Sequence, residues 1–490
     1  MPTLLILDYW EKLAGASLAL AAVIRLCQRT GLSLVAPSVG SSIFLPGPAT
    51  GSFPLSAYYD VSALRKALKP QLLLDHAAWQ RVLAVAVHTC LLVVVYDDFP
   101  ASCTQPMASR AADDHACPGA CLALGGVRRL MASVAPWASW ASGGSDRRGF
   151  HGGSSSNASS LRANCVLGAE LRMAIHSGTS GRAAAVLRSH DAVALLNFRR
   201  HDQSRPMLPQ AEAAALRAAA VQPSRAVRSA ARRFLAVRRM PPHAYVAVQM
   251  RSNHLAQAAF AAAHAASSRS AASSSPPNSR HGGRLGVDAT SSSCTQRVLS
   301  CARKLSRTAR RLGPPTATVV ASDLATLHQP NQDGATHRKK AHVRACLMPA
   351  LPALHGWYQS TGHGLNCSGR GPAAGDSARR TSSRRGGSSS SRGGSGGRRG
   401  GGGNRRLSER VQPSGGMADG GMEVSAAERA CDAGWLGLVD LVLASEATAF
   451  VAVDAGVWRS AFLEWILQLR HARSGVDADS AATTQVIKCS

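Results

Sequence analysis

The sequence predicts an α/β protein of two lobes, each built on a parallel sheet and interrupted by disordered insertions. Three observations carry that expectation. Between Leu4 and Pro37 a buried strand, a helix of small apolar residues and a second buried strand follow one another, the order of a parallel α/β unit. From Tyr245 onwards the alternation repeats. Tracts of Gly, Ser and Arg separate the periodic segments, and these cannot bury enough apolar surface to offset the entropy of ordering them. At 490 residues the chain has room for about two to four ordinary domains, so two sizeable cores fit.

In the first lobe, 1–222, Leu4 to Leu7 read as a strand. "EKLAGASLALAAVIRLCQRTG" follows, with Leu18, Ala22 and Leu26 at helical spacing up to a stop at Gly31. "LSLVAP" is a second strand ended by Pro37. "PLSAYYDVSALRKAL" offers Asp60 or Ser62 as a helix cap. "HTCLLVVVYDDFP" is the strongest strand signal in the chain, unbroken from Leu91 to Val95 and closed by Asp97 and Asp98. Ligands sit at that end of open α/β sheets, although a turn that favours Asp is the simpler account of the pair. Residues 101–163 read as a low-complexity loop, and "AVALLNFRRH" as one more core strand.

The segment "MLPQAEAAALRAAAVQPSRAVRSAARRFLAVRRM" is helical, breaks near Pro223 and leads into the second lobe, 223–490. There "YVAVQMR" is a strand delivering Arg251. After a low-complexity stretch over about 265–292, "CTQRVLSCARKLSRTARRLG" is a basic amphipathic helix, and "TATVVASDL" is a strand delivering Ser322 and Asp323. An Arg/Gly/Ser insertion spans about 366–425. The closing "GWLGLVDLVLASEATAFVAVDAGVWRSAFLEWILQLRHARSG" reads helix, strand, loop, helix.

The net charge of +28 suggests a polyanionic partner, but much of it lies in the arginines between Gly369 and Val411. That tract lacks the interleaved aromatics that stack bases, so a solvated surface insertion is the simpler account and nucleic acid the weaker one. Twelve cysteines are scattered without a repeated CxxC pair. "HACPGAC" has no matching second half at zinc-finger spacing, so a structural zinc site is not expected; disulfides are open to these cysteines. Asn157-Ala-Ser and Asn366-Cys-Ser are glycosylation sequons usable in a secretory lumen. The start "MPTLLILDYWEKLAG" has no basic leader, and no stretch of about twenty uncharged apolar residues appears, so neither a signal peptide nor a membrane span is expected.

Three second-lobe strands end in sequence at Arg251, at Asp323 and at "DAGVWRSAF". A cation that can fork onto a diphosphate, an acid that can accept from a ribose or base, and a helix N-terminus with Ser460 suit a nucleotide-sugar site. The absence of a Walker loop or GxGxxG weighs against an ATPase or a dinucleotide enzyme. Each residue also has a plain structural role: Arg251 as the partner of a surface acid, Asp323 and Ser460 as helix caps.

The order of these motifs resembles the GDP-fucose protein O-fucosyltransferases and the O-fucosyltransferase-like group of plants and algae. "GASLALAAVIRLCQRTGLSLVAP" is similar to that family's first strand-to-helix turn, helix and strand. "PLSAYYDVSAL", "YVAVQMR", "TVVASD" and "VDLVLASEATAFVAVDAGVWRSAFLEWILQLR" follow in the family's order. The resemblance implies a GT-B-like fold of two Rossmann-like lobes with the donor in the cleft between them, and transfer of fucose from GDP-fucose to a protein or glycan hydroxyl with inversion. It implies no cofactor and no metal requirement, a GDP-sugar donor as partner, and a Golgi or endoplasmic reticulum lumen as compartment. Arg251 then matches the arginine on the diphosphate. Asp323 stands at the second motif's acid, and Ser460, Ala461 and Phe462 at the third. Gly15 matches the first-turn glycine that admits the donor.

Three departures bear on activity, one being that no acid follows Arg251 closely, where Ser252, Asn253 and His254 stand. Gln249 stands where the family has histidine and cannot serve as a charge switch. Ala16 stands where asparagine often follows the glycine. A general base is left to Glu11, Asp97 or Asp98 on position alone, each of which also reads as a loop or capping acid. Donor binding is thus better founded than transfer. A degenerate nucleotide-sugar binder, and more remotely an RNA-associated protein acting through the Arg/Gly tract, are the competing expectations.

Overall fold

The computed structural model describes residues 2–7, 13–40, 43–45, 52–68, 73–97, 117, 162–179, 181–202, 205–250, 259, 262, 265, 285–313, 318–322, 358–359, 432–454, 460–474 and 483–489. The insertion expected over about 366–425 and most of the loop 101–163 lie outside them. Everything described below belongs to one compact unit.

The first half runs β1 (Thr3–Ile6), α1 (Leu13–Thr30), β2 (Ser33–Val35), β3 (Ser38–Gly40), β4 (Ile43–Leu45), β5 (Phe53–Pro54), α2 (Val61–Ala67), β6 (Leu73–Leu74), α3 (His76–Val85) and β7 (Thr89–Val95). It continues β8 (Arg162–Leu167), α4 (Gly168–Ser177), α5 (Arg182–Ser189), β9 (Ala192–Leu196), β10 (His201–Asp202) and β11 (Arg205–Pro206), then α6 (Gln210–Ala220) and α7 (Arg225–Val237). The second half runs β12 (Val246–Met250), α8 (Leu285–Leu312), β13 (Thr318–Ser322), β14 (Tyr358–Gln359), α9 (Ala433–Glu446), β15 (Ala449–Asp454), α10 (Ala461–Ser474) and β16 (Thr483–Lys488).

Two parallel sheets result, the two α/β lobes expected. The first has the order β6-β2-β1-β9-β7-β8 and the second β14-β13-β12-β15-β16. The helix expected to stop at Gly31 does so: that residue holds φ +74 and its N–H returns to the Cys27 carbonyl at 2.9 Å, the left-handed closure that glycine makes without strain. Of the two caps offered for α2, Asp60 is the one used, accepting from the N–H groups of Ser62 and Ala63. Pro223 separates α6 from α7, as its missing donor dictates.

Alternation along the strands divides the apolar residues into layers. Leu4 and Ile6 of β1, with Ala247, Phe450 and Ala452 of the second sheet, belong to one central core shared with α1, α7, α9 and α10. Leu5 and Leu7 face away, towards Trp79 of α3. Val246, Val248 and Met250 likewise face away, towards α8. The helices of the central layer therefore lie between the two sheets, with α3 and α8 on the outer faces. Helix α9 is buried almost all round, which its near-continuous apolar sequence allows.

Helix α8 starts at Leu285, so it takes in the last residues of the stretch expected to be low-complexity. Extending a helix from a packed segment is cheap compared with nucleating one, and Cys294, Val298, Cys301 and Leu305 pack the rest of it.

Candidate functional site

In the second sheet the chain first proceeds from β12 through β13 to β14, then returns to the other side of β12 with β15 and β16. The crevice outside the carboxyl ends of β12 and β15 is therefore a topological switch point, the place where open parallel sheets leave room for a ligand between diverging connections. Register pairs Met250 with Ser322 and Gln249 with both Ala321 and Ala452. The strands expected to deliver Arg251 and Asp323 are thus adjacent, parallel and level at their ends. Arg251 and Asp323 themselves, with Glu11 and Asp98, lie outside the described residues.

Gln249 is 4% exposed. It shares the side of β12 occupied by Ala247, the side of the central core, and its cross-strand neighbours are small. A long amide there faces the layer between the sheets, flanked on the neighbouring strands by two alanines. Ser460 caps α10: its Oγ accepts from the Leu463 N–H at 3.2 Å and its carbonyl from the Glu464 N–H at 2.9 Å. Ala461 begins the helix, and Phe462 packs against the central core. Gly15 and Ala16 are buried in the first turn of α1, within the helix rather than in the turn before it. That end of α1 meets α9, since a Cβ added to Gly437 would lie 3.2 Å from a Leu13 methyl, and α1 packs against α10. The helices bearing Gly15 and Ser460 are therefore neighbours across the lobes. Asp97 is exposed just past β7, and Trp465 is buried as packing.

Tyr58 and Arg217 each make a buried polar link across the lobes, and neither was singled out from sequence. Tyr58 donates its hydroxyl to Asp432 Oδ1 at 2.5 Å, and the same carboxylate oxygen caps α9 by accepting from Gly434 and Trp435 N–H. Burial first, and then the Asp432 charge, push the Tyr58 hydroxyl's pKa up, so it stays a donor. Arg217 of α6, 1% exposed, donates to Gln468 and to Ser17 Oγ, and its guanidinium lies 5.0 Å from the centre of the Trp465 ring. Burial pushes its pKa down to about 10, opposed by Glu464 and Tyr59, which leaves it charged at neutral pH. A lone arginine in the alanine run "AEAAALRAAA" is the one signal that hinted at it: a polar exception on a helix with little else to offer a partner.

Asp440 sits in the middle of α9 at 6% exposure, with Oδ1 lacking any hydrogen bond. Burial raises its pKa well above the ordinary carboxylate value, which favours the neutral acid. In the first lobe Asp202 is raised by burial and pulled back by Arg172 at 3.0 Å.

Cys117 is bonded to Cys165 and Cys301 to Cys489, while Cys294 is also in a disulfide. Among the described residues no group of three or more His, Cys, Asp or Glu is arranged to hold a metal ion. No described helix is long and apolar enough to cross a membrane.

No family model matches the chain, and no curated protein matches its sequence. Among solved structures it is similar to crystal forms of GDP-fucose protein O-fucosyltransferase 1 (POFUT1). The complex with GDP and the apo form each give a TM-score of 0.42, and the complex with GDP-fucose 0.41. Identity is 9% in each case, over 99% of this chain and 97–98% of the other. Similarity of this degree identifies no activity.

Proposed function

We propose that the chain is an O-fucosyltransferase-like glycosyltransferase, binding a GDP-sugar at the carboxyl ends of β12, β13 and β15 and transferring fucose with inversion to a protein or glycan hydroxyl. The observation that carries this reading is the switch point between β12 and β15, with Met250 and Ser322 level beside it. The motif set that resembles the plant and algal O-fucosyltransferase-like group falls on these strand ends.

On this reading Arg251 forks onto the diphosphate and stabilises the charge that develops as GDP leaves. The first N–H groups of α10 add a partial positive charge at the same edge. Asp323 accepts from the ribose or base. Gln249 lends a neutral amide from the inner face, and Gly15 and Ala16 border the donor from the first lobe. The acceptor hydroxyl must lose a proton to a base, for which Glu11, Asp97 and Asp98 remain the candidates. The transfer needs no metal in this scheme, because the cation is supplied by the protein. A lumenal compartment is supported by the disulfides, which persist where the milieu is oxidising.

A second reading, donor binding without turnover, is favoured by one observation. The buried position on β12 that faces the central layer is a glutamine, which hydrogen-bonds but cannot exchange a proton near neutral pH.

Calorimetry of the full chain with GDP, GDP-fucose and UDP separates these. Binding of both guanine nucleotides with release of fucose to water or an acceptor supports transfer. Binding without release supports the second reading. No binding of either guanine nucleotide rejects both.

A further inference from the structure

We propose that the outer face of α8 is a docking surface for a linear sulfated glycan. This helix lies on the far side of the second sheet from the central layer, and its packing is one-sided: Cys294, Val298, Cys301, Ala302, Leu305 and Ala309 are buried. The opposite face carries Arg297, Arg303, Lys304, Arg307, Arg310 and Arg311, all exposed. At 1.5 Å per residue these cations extend along about 21 Å of helix.

Three arginines elsewhere in the fold meet carboxylates: Arg25 meets Glu212, Arg172 meets Asp202 and Arg228 meets Asp60. Among the described residues none of the six cations on α8 has an acidic partner. Arg303 donates to its own helix at the Leu299 carbonyl, 3.3 Å away. Lys304 Nζ donates to the Lys488 carbonyl at 3.2 Å, which brings exposed Lys488 to the edge of the same face. Arg303, Arg307 and Arg311 stand at i, i+4 spacing, so the helix holds like charges one above another, an arrangement that weakens it unless an anion lies across them. The disulfide between Cys301 and Cys489 ties the helix to the end of β16, so the array is held on a fixed support.

The chemistry of the face selects among polyanions. Five of the six cations are arginines, whose planar forks suit sulfate as they suit phosphate. Nucleic acid is disfavoured because α8 carries no aromatic residue on which a base could stack. It is also disfavoured because a chain with disulfides matures where nucleic acid is scarce. A lipid surface is disfavoured because the exposed positions between Ser293 and Arg311 hold no apolar side chain to enter a bilayer. A sulfated glycan needs neither stacking nor insertion. It repeats its charge along one line, as the helix does.

The test uses the full chain in a background where the eleven arginines between Gly369 and Val411 are replaced by glutamine, so that this tract does not mask the effect. Binding of a size-defined heparin oligosaccharide is measured against salt concentration for that protein, for R303Q/R307Q/R311Q, and for R225Q/R232Q/R239Q, which removes two exposed cations from α7 and one just past its end instead. The expected result is a loss of about tenfold or more, with a salt slope smaller by about three, in the α8 variant alone. Equal losses in both variants would show a response to net charge and overturn the proposal. So would tighter binding of a single-stranded RNA of equal charge, or of phosphatidylserine vesicles, with the same dependence on α8. A circular-dichroism melt accompanies each protein. If the triple variant melts early, R297Q/R310Q replaces it, and undiminished heparin binding there overturns the proposal too.

Discussion

Tyr58 and Asp432, 374 positions apart in sequence, share a 2.5 Å hydrogen bond that crosses from the first lobe to the N-cap of α9. One carboxylate oxygen there accepts from a phenol and from two backbone N–H groups at once. Removing the phenol in Tyr58→Phe leaves the cap intact and deletes one bond to a charged acceptor, an expected loss of about 1.5–3 kcal/mol. Asp432→Ala removes the cap as well, worth about 1 kcal/mol more, and strands a buried hydroxyl. Urea unfolding of the two variants and their double should show a coupling of at least about 1 kcal/mol. Additive losses would mean the bond does not join the lobes.

Arg217 makes the second link, and here charge and volume can be separated. Arg217→Ala leaves a cavity beside Trp465 and deserts Gln468 and Ser17, so a loss of about 2–5 kcal/mol is expected. Arg217→Met keeps most of the volume and removes a buried cation that has no carboxylate within ion-pair distance among the described residues. It should cost less than half as much, because the desolvation penalty of the guanidinium disappears with it. Equilibrium unfolding checks this, and a Met variant as unstable as the Ala variant would locate the stability in the hydrogen bonds instead.

The strands and helices that sequence made legible are those whose burial is one-sided or complete over a long run. Leu91 to Val95, Tyr245 to Met250 and the α1 helix are read from apolar pattern alone, because a parallel sheet covered on both faces demands it. The edges escaped. Strand β16, exposed from Thr483 to Val486, pairs with β15 without an apolar pattern to announce it. Strand β8, next to the 101–163 loop, begins with Arg162 and Asn164 and borrows its order from β7. At the site, the level ends of β12 and β13 followed from the motifs, whereas the inter-lobe contacts did not. Tyr58, Arg217 and Asp432 come from distant segments, and no local period encodes which polar residue will meet which.

Asp440 gives the fold a dependence on pH opposite to that of most carboxylates. Its folded pKa is raised by burial, while the unfolded chain ionises near about 3.9. Below that value both states are protonated and the group contributes no penalty. Above it the unfolded state releases a proton that the folded state retains, so stability falls as pH rises until the folded pKa is passed. Asp440→Asn should therefore be near wild type in stability at pH 4 and more stable at pH 8. Urea midpoints at the two pH values measure the difference, and a gap that does not widen with pH would show that Asp440 is not held neutral.

Gln249 and Arg251 put the donor proposal at its greatest risk, because they differ in what each should do to a nucleotide. A guanidinium on a diphosphate makes charge-assisted bonds of about 1.5–3 kcal/mol, so Arg251→Ala should weaken GDP by roughly 10- to 150-fold. Gln249→Ala takes away a neutral amide, with a loss of about 0.5–1.5 kcal/mol and hence roughly 2- to 10-fold. Gln249→His asks a further question of the inner face. If transfer is limited by a missing proton carrier there, histidine raises release of fucose without tightening GDP, and the gain follows the ionisation of the new ring. Calorimetry reads the first two effects and a fucose-release assay between pH 5.5 and 8.5 the third, pH values chosen to bracket an ordinary imidazole near about 6.5. An Arg251→Ala protein that binds GDP as wild type does would remove the diphosphate from the carboxyl end of β12.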